Sequence, residues 1–268
     1  MKRAVRRYDR LMSADLASSR DLTTKAFWEE IYLAPIDLPA RPSVEVPFER
    51  CLMRAFDCHA PVRPGQRLLE IGCAPGRWLV FFAERFGAAV EGLEYTELGA
   101  RQTEENLRVC HVHGTVHHAD FWSFEPDAAY DFVLSLGFIE HFDDVDAAFA
   151  RHVPFIAPGG RLVLTVPNFQ GLNVMLQRWC DPDWLALHNR DAMGHAGYVR
   201  RAAANGLEVE RTCYVGGFDP DIISVRRRGR RLIAPFWHLR HHGVGDHVNG
   251  PWLSSFLLMV FERPRLTG

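Results

Sequence analysis

Between residues 67 and 167 the chain alternates short apolar runs with amphipathic segments, and this alternation limits its fold more than any other feature. RLLEIG (67–72), AAVEGLE (88–94), TVHHAD (115–120), YDFVLSLG (130–137) and RLVLTVP (161–167) read as strands. Between them, GRWLVFFAERFG (76–87) is amphipathic and stops at Gly87, as a helix does. TELGARQTEENLRVC (96–110) opens on Thr96, a helix-capping residue type, and DVDAAFARHVPFIAPGG (144–160) reads as a helix disturbed by Pro154. Strands separated by helices can pair in parallel only through crossovers, which place the helices on the faces of the sheet. The pattern resumes with a helix near 189–205, a strand in GLEVERTCYV (206–215) and a last strand in SSFLLMVFER (254–263).

Two stretches fall outside this rhythm, 168–188 and 216–253, and both are long for connections in a compact domain. The first 60 residues precede the alternation and carry two helical patterns, TKAFWEEIYL (24–33) and PFERCLMRAF (47–56), with Pro47 suited to a first helical turn. The chain has 268 residues, enough for one α/β domain with insertions. Its net charge of −2 gives no global sign of a nucleic-acid partner. No apolar stretch reaches the ~20 residues of a spanning helix, and the basic N-terminus lacks the apolar core of a signal peptide, so stable membrane insertion is not expected. Six scattered cysteines without a CxxC pair fit reduced thiols in a cytoplasmic protein.

LLEIGCAPGRW (68–78) carries the strongest chemical signal. It sets Glu70 at the end of a strand, Gly72, Ala74 and Gly76 in the turn, and a helix immediately after. Small residues let a ligand approach the backbone, and the helix start offers free N–H groups. A dinucleotide turn wants G-x-G-x-x-G. Read from Gly72, Ala74 takes the second glycine's place and Arg77 the third's, a poor fit for close helix–strand packing.

The turn, in the form E-x-G-x-[GA]-x-G, resembles motif I of class I S-adenosylmethionine-dependent methyltransferases, with Ala74 in place of the middle glycine. The resemblance runs over about residues 60–215 and is extended by the strand at 254–263. It implies a Rossmann-like, seven-stranded, mostly parallel sheet with helices on both faces and the last strand antiparallel. Residues 168–188 and 216–253 would be cap insertions in a domain spanning 61–268, and residues 1–60 a helical segment covering the cofactor site. S-adenosyl-L-methionine is the implied cofactor. Glu70, Gly72, Cys73, Ala74 and Gly76 would form its glycine-rich cradle. Glu94, eighteen positions after Gly76, ends the second strand and would accept the ribose hydroxyls, with Tyr95 beside it. Asp120 in HADFWSF (118–124) would take the adenine amino group and Phe121 the ring. Leu136 and Gly137 would hold the methionine end.

LSLGFIEHFDD (134–144) resembles the small-molecule branch, in which a glutamate–histidine pair follows the fourth strand, and it lacks the N/D-P-P-Y element of adenine and glutamine methylating enzymes. His141 lies just past the strand's carboxyl end, where ligands of open α/β sheets sit. As a catalytic base with a pKa near 6.5 it would take a hydroxyl proton during transfer. It can equally pack the following helix. The expected reaction is therefore methyl transfer to a small molecule, on a hydroxyl oxygen of an apolar or aromatic acceptor. N- or C-methylation, and a catalytically silent cofactor-binding protein, stay open, as does a homodimer. No metal is expected, because the histidines at 111, 113, 117 and 118, and at 238, 241, 242 and 247, lack a specific ligand spacing. The arginine run VRRRGRR (225–231) reads as a solvated basic face, or as a contact for an anionic substrate, a membrane surface or a partner. Phe169, Trp179, Trp184 and His188 suggest an acceptor pocket or the core of a small cap.

Overall fold

A computed structural model describes residues 21–224, 246 and 248–265. Residues 1–20, the arginine run, and His238, His241, His242 and His247 lie outside the described residues. Two helices lead in. Helix α1 (Lys25–Tyr32) is capped by Thr24, whose side chain accepts from the Phe27 amide, and α2 (Pro47–His59) starts on its proline. The alternating region then gives β1 (Arg67–Ile71), α3 (Arg77–Phe86), β2 (Ala89–Glu94), α4 (Glu97–Val109), β3 (Gly114–His118) and β4 (Tyr130–Leu136). It continues with α5 (Val145–His152), β5 (Ile156–Pro167), α6 (Gly171–Cys180), α7 (Pro182–Ala186), α8 (His195–Ala204), β6 (Glu208–Val215) and β7 (Phe256–Glu262). The strands form one seven-stranded sheet in the order β3-β2-β1-β4-β5-β7-β6. β7 runs antiparallel to both β5 and β6, and the other pairings are parallel. The expected architecture is the observed one.

Strand alternation splits the interior into two cores, one on each face. Leu68, Phe132, Leu134, Val163, Leu258 and Val260 pack on one side with α3 residues Leu79 and Phe82. Leu69, Val133, Leu164, Met259 and Phe261 pack on the other with Phe149 of α5 and Tyr198 of α8.

Some boundaries differ from the sequence reading. β3 ends at His118, two residues short of Asp120, because the Asp120 carboxylate accepts from the Trp122 amide at 2.7 Å and turns the chain. The helix expected over 144–160 stops at His152. Pro154 has no amide hydrogen, so a single 3-10 turn (Val153–Phe155) follows and β5 begins at Ile156. The stretch 168–188 is not a bare connection, since it folds into α6 and α7. Phe169, Cys180, Leu185, Met193 and Ile223 make a small core of their own there, with Trp184 against it. Trp179 is half exposed. Among the described residues no helix is long and apolar enough to cross a membrane.

Candidate active site

The strand order reverses between β1 and β4, so the crevice of an open α/β sheet opens at their carboxyl ends. Of the sequence-expected residues, Gly72, Tyr95, Asp120, Phe121 and His141 reach this end of the sheet, following β1, β2, β3 and β4. A cleft occupies the position. Gly72, Tyr95, Asp120 and Phe121 line it, together with Ile71, Leu93 and Ala119. Trp122, Phe138, Phe142 and His141 close it on the β4 side, and Asp21, Thr23 and Trp28 on the N-terminal side.

The turn after β1 is built for close backbone approach. Gly72 and Gly76 have φ of 70° and 82°, where a β-carbon strains the backbone. A β-carbon on Gly76 would lie 2.8 Å from Thr103 Cγ2, so α3 and α4 could not pack as they do. The Gly72 amide donates to Leu93 O at 2.9 Å, joining the turn to β2. Cys73 points away from the cleft into the core, its Sγ against Thr103 and Gly92, and burial pushes its thiol pKa up. Glu70 is buried beneath the turn. Desolvation raises its pKa, and its Oε2 has no hydrogen-bond partner.

Glu94 ends β2 at 2% exposure. Its Oε1 accepts from the Thr96 amide (2.9 Å) and hydroxyl (2.6 Å). Desolvation raises its pKa, and the hydrogen bonds from Thr96 oppose the rise. Tyr32 of α1 packs nearby, and its pKa is raised by burial first and by the field of Glu94 next. Asp120 is exposed, whereas the Phe121 ring is buried among Phe138, Phe142 and Phe155. Gly137 follows β4 with φ of 61°, its amide donating to Thr165 O at 2.9 Å. Leu136 is half-buried at the strand's end, and neither residue lines the cleft. An orphaned buried carboxylate oxygen, two glycines with positive φ and a buried carboxylate closing β2 together fit an adenosyl cofactor with an ammonium group at one end.

His141 sits in a 3-10 turn (Ile139–His141) after β4. Its Nδ1 lies 2.9 Å from Leu187 O. Only an N–H satisfies a carbonyl, so Nδ1 carries the hydrogen and Nε2 is left as an acceptor. The sequence reading set its pKa near 6.5. Burial, aided by His188 and opposed by the Leu187 bond, pushes it down to about 3. The Trp28 ring meets it edge-on at 5.1 Å. Burial likewise pushes Glu140 up to about 8 and His188 down to about 4. By contrast, His152 is a fully bonded core residue, with Nδ1 donating to Ala148 O (2.7 Å) and Nε2 3.1 Å from Ser135 Oγ.

The N-terminal segment, expected to cover the cofactor site, supplies Asp21, Thr23 and Trp28 to the lining, although its amphipathic pattern does not single out these residues. The backbone shows the docking: Leu22 N donates to His141 O at 2.7 Å, and Asp21 pairs with Phe142. Phe169 and Trp184, weighed for the acceptor pocket, lie instead in the small core beside it. His188 does face the site, its ring 4.8 Å from that of His141.

Comparison with known proteins agrees with this geometry. A family described as a methyltransferase domain matches residues 47–211. A malonyl-[acyl-carrier protein] O-methyltransferase from Erwinia billingiae is 25% identical over 193 residues, 69% of this chain and 71% of that protein. A 27-O-demethylrifamycin SV methyltransferase from Amycolatopsis mediterranei is 30% identical over 125 residues, but the chain spans only 46% of its length. Among solved structures, a sarcosine dimethylglycine methyltransferase from Galdieria sulphuraria superposes with a TM-score of 0.55 at 18% identity, covering 80% of this chain and 84% of that one. The match covers the glycine turn and strands β1 to β5, and the chain belongs to the methyltransferase-domain family, as a class I, S-adenosylmethionine-dependent methyltransferase.

Proposed function

We propose that this chain transfers a methyl group from S-adenosyl-L-methionine to a hydroxyl oxygen of a small apolar or aromatic molecule. The observation that carries the reading is His141: a neutral imidazole with a free Nε2 acceptor, fixed by Leu187 O, in the wall of a cleft lined by Trp28, Trp122, Phe138 and Phe142. Such a wall favours an apolar acceptor and excludes water, and the imidazole adds one polar contact for a hydroxyl. Bound S-adenosyl-L-methionine supplies a methyl already activated on a sulfonium, so the protein's task is positioning.

Glu94 keeps lone pairs beyond those used by Thr96, and these are assigned to the ribose hydroxyls. Asp120 and Phe121 are assigned to the adenine, and Tyr95 to the wall beside it. Glu70 Oε2, buried and unpaired, is assigned to the methionine ammonium region, with Gly72, Cys73, Ala74, Gly76, Leu136 and Gly137 contributing backbone. Residues 21–32 form the cover. The relatives include O-methyltransferases beside N-methyltransferases, so an oxygen acceptor is in keeping with them and rests on His141. The scattered cysteines support a cytoplasmic setting.

The test is transfer of labelled methyl to matched acceptors that differ only in carrying a hydroxyl, an amine or an activated carbon. O-methyl product is expected. Product only on nitrogen or carbon overturns the oxygen assignment, and cofactor binding without any transfer marks a silent binding protein.

A further inference from the structure

Glu140, His141 and His188 place one ligand atom each within 4.8 Å of one another, all three buried, at 1%, 9% and 8% exposure. The two imidazoles are oriented alike. His141 Nδ1 donates to Leu187 O, and His188 Nδ1 donates to Trp184 O at 2.8 Å. Each ring thereby spends its N–H on a backbone carbonyl and keeps Nε2 as a lone pair. Backbone anchoring of the distal ring nitrogen is how metal-bound histidines are fixed in tautomer and orientation. Glu140 adds a third acceptor. Its Oε2 has no partner, and its Oε1 stands 4.0 Å from His141 Nε2, too far for a hydrogen bond. Three side chains that carry metal-ligating atoms thus converge in a buried place, with His141 and Glu140 not hydrogen-bonded to each other. A buried carboxylate with one oxygen unpartnered is costly unless a cation compensates it.

The backbone that holds the three is stitched together. Asn189 N donates to Glu140 O at 2.6 Å, and Asn189 Nδ2 to Phe142 O and Asp143 O at 3.1 and 2.8 Å. Ligands at ~2.1 Å from a tetrahedral ion stand about 3.4 Å apart, so atoms within 4.8 Å of one another need to close by about 1.4 Å at most. We propose that Glu140, His141 and His188 bind one divalent first-row transition-metal ion, zinc in the first instance, at the wall of the cofactor cleft. Two imidazoles and a carboxylate suit such an ion, and three protein ligands leave a position for a further one.

The use of this ion rests on the O-methylation reading above. With the ion bound, His141 Nε2 is spent on the metal and no longer meets the acceptor hydroxyl directly; the hydroxyl would take the open position instead, where metal binding acidifies it. Its proton leaves to solvent. The O–CH3 bond forms as the S–CH3 bond breaks, and that electron pair returns to sulfur. No ligand spacing along the chain announces this cluster, because its members come from two segments joined only by the fold.

The site is tested on the full chain, stripped with chelator and titrated calorimetrically with Zn²⁺, as wild type, Glu140→Gln and His188→Ala. One ion per chain is expected in the wild type. Affinity should fall at least about 10–100-fold in each variant, the range seen even for residues that only support a metal ligand. S-adenosylhomocysteine affinity should stay within a few-fold, which also reports folding. No stoichiometric uptake by the wild type, or unchanged uptake by the variants, overturns the site. Should the variants fail to fold, electron paramagnetic resonance of wild-type protein with one equivalent of Cu²⁺ decides. Couplings to two imidazole nitrogens support the site, and one or none overturns it. Zinc uptake without O-methyl transfer keeps the site and overturns the hydroxyl reading. O-methyl transfer at full rate by metal-free protein overturns the metal proposal alone.

Discussion

Removing the Glu94 carboxylate separates cofactor recognition from local architecture. Glu94→Ala deletes a group at 2% exposure that accepts from the Thr96 amide and hydroxyl. Leaving those buried donors unpaired costs about 1–3 kcal/mol, or roughly 2–4 °C in Tm per kcal/mol for a chain of this size. The ribose contact is a second loss, of about 1.5–3 kcal/mol for a bond to a charged acceptor, which is roughly 10–150-fold in Kd. Thr96→Ala separates the two. It removes the cap on the Gly99 amide (3.2 Å) and one donor to Glu94, costing about 1 kcal/mol of stability, while the carboxylate stays. Calorimetry with S-adenosylhomocysteine and thermal unfolding of both variants should show Tm falling in each, and affinity falling strongly only in Glu94→Ala. Unchanged affinity in Glu94→Ala would refute the ribose role. Equal loss in both variants would show that the turn's shape, not the carboxylate, binds the cofactor.

Three further outcomes are expected. Gly76→Ala should lose roughly 2–5 kcal/mol in urea unfolding, from a positive φ and a methyl 2.8 Å from Thr103 Cγ2, and adding Thr103→Ser should restore part of it. Ser135→Ala should cost about 1–3 kcal/mol by leaving His152 Nε2 without its donor, and wild-type stability in that variant would show the bond to be dispensable. Partial burial pushes the Glu91 carboxyl up, but hydrogen bonds from His117, Arg67 and Tyr130 overcome this and hold its pKa below the usual range. Its stabilising contribution is therefore present above the unfolded carboxylate pKa and is lost as pH falls through the lowered folded value, so Glu91→Gln should flatten the acid limb of a stability–pH profile.

The parts of this molecule that were legible in the sequence are those governed by neighbours along the chain. Gly72 and Gly76 declare themselves because a strand-to-helix turn with positive φ has few other solutions. Glu94 declares itself by ending an apolar run, and Asp120 only by following the third strand. Pro154 was visible as a disturbance, but whether the chain would bend the helix or end it in favour of β5 depended on pairing with β4. The segments of Trp28 and His188 are expected near the site, but the contacts of these two side chains are not readable, for a stronger reason. Their partners are set by how the N-terminal segment and the α6–α7 cap dock on the turn after β4, and no local periodicity encodes that docking. The motif places Cys73 in the turn after β1 but says nothing of a side chain that turns into the core.

The turn at 139–143 is held from both sides, by Leu22 N on His141 O and by Asn189 on Glu140, Phe142 and Asp143. It is therefore a shared abutment for two separately docked pieces of chain. Any ligand that stiffens this abutment lowers the entropy still to be lost when the other piece settles, and the effect must run equally in both directions. Cofactor and acceptor affinities should then be linked beyond what their direct contact supplies. Equilibrium binding of an acceptor analogue, with and without S-adenosylhomocysteine, would read that linkage directly.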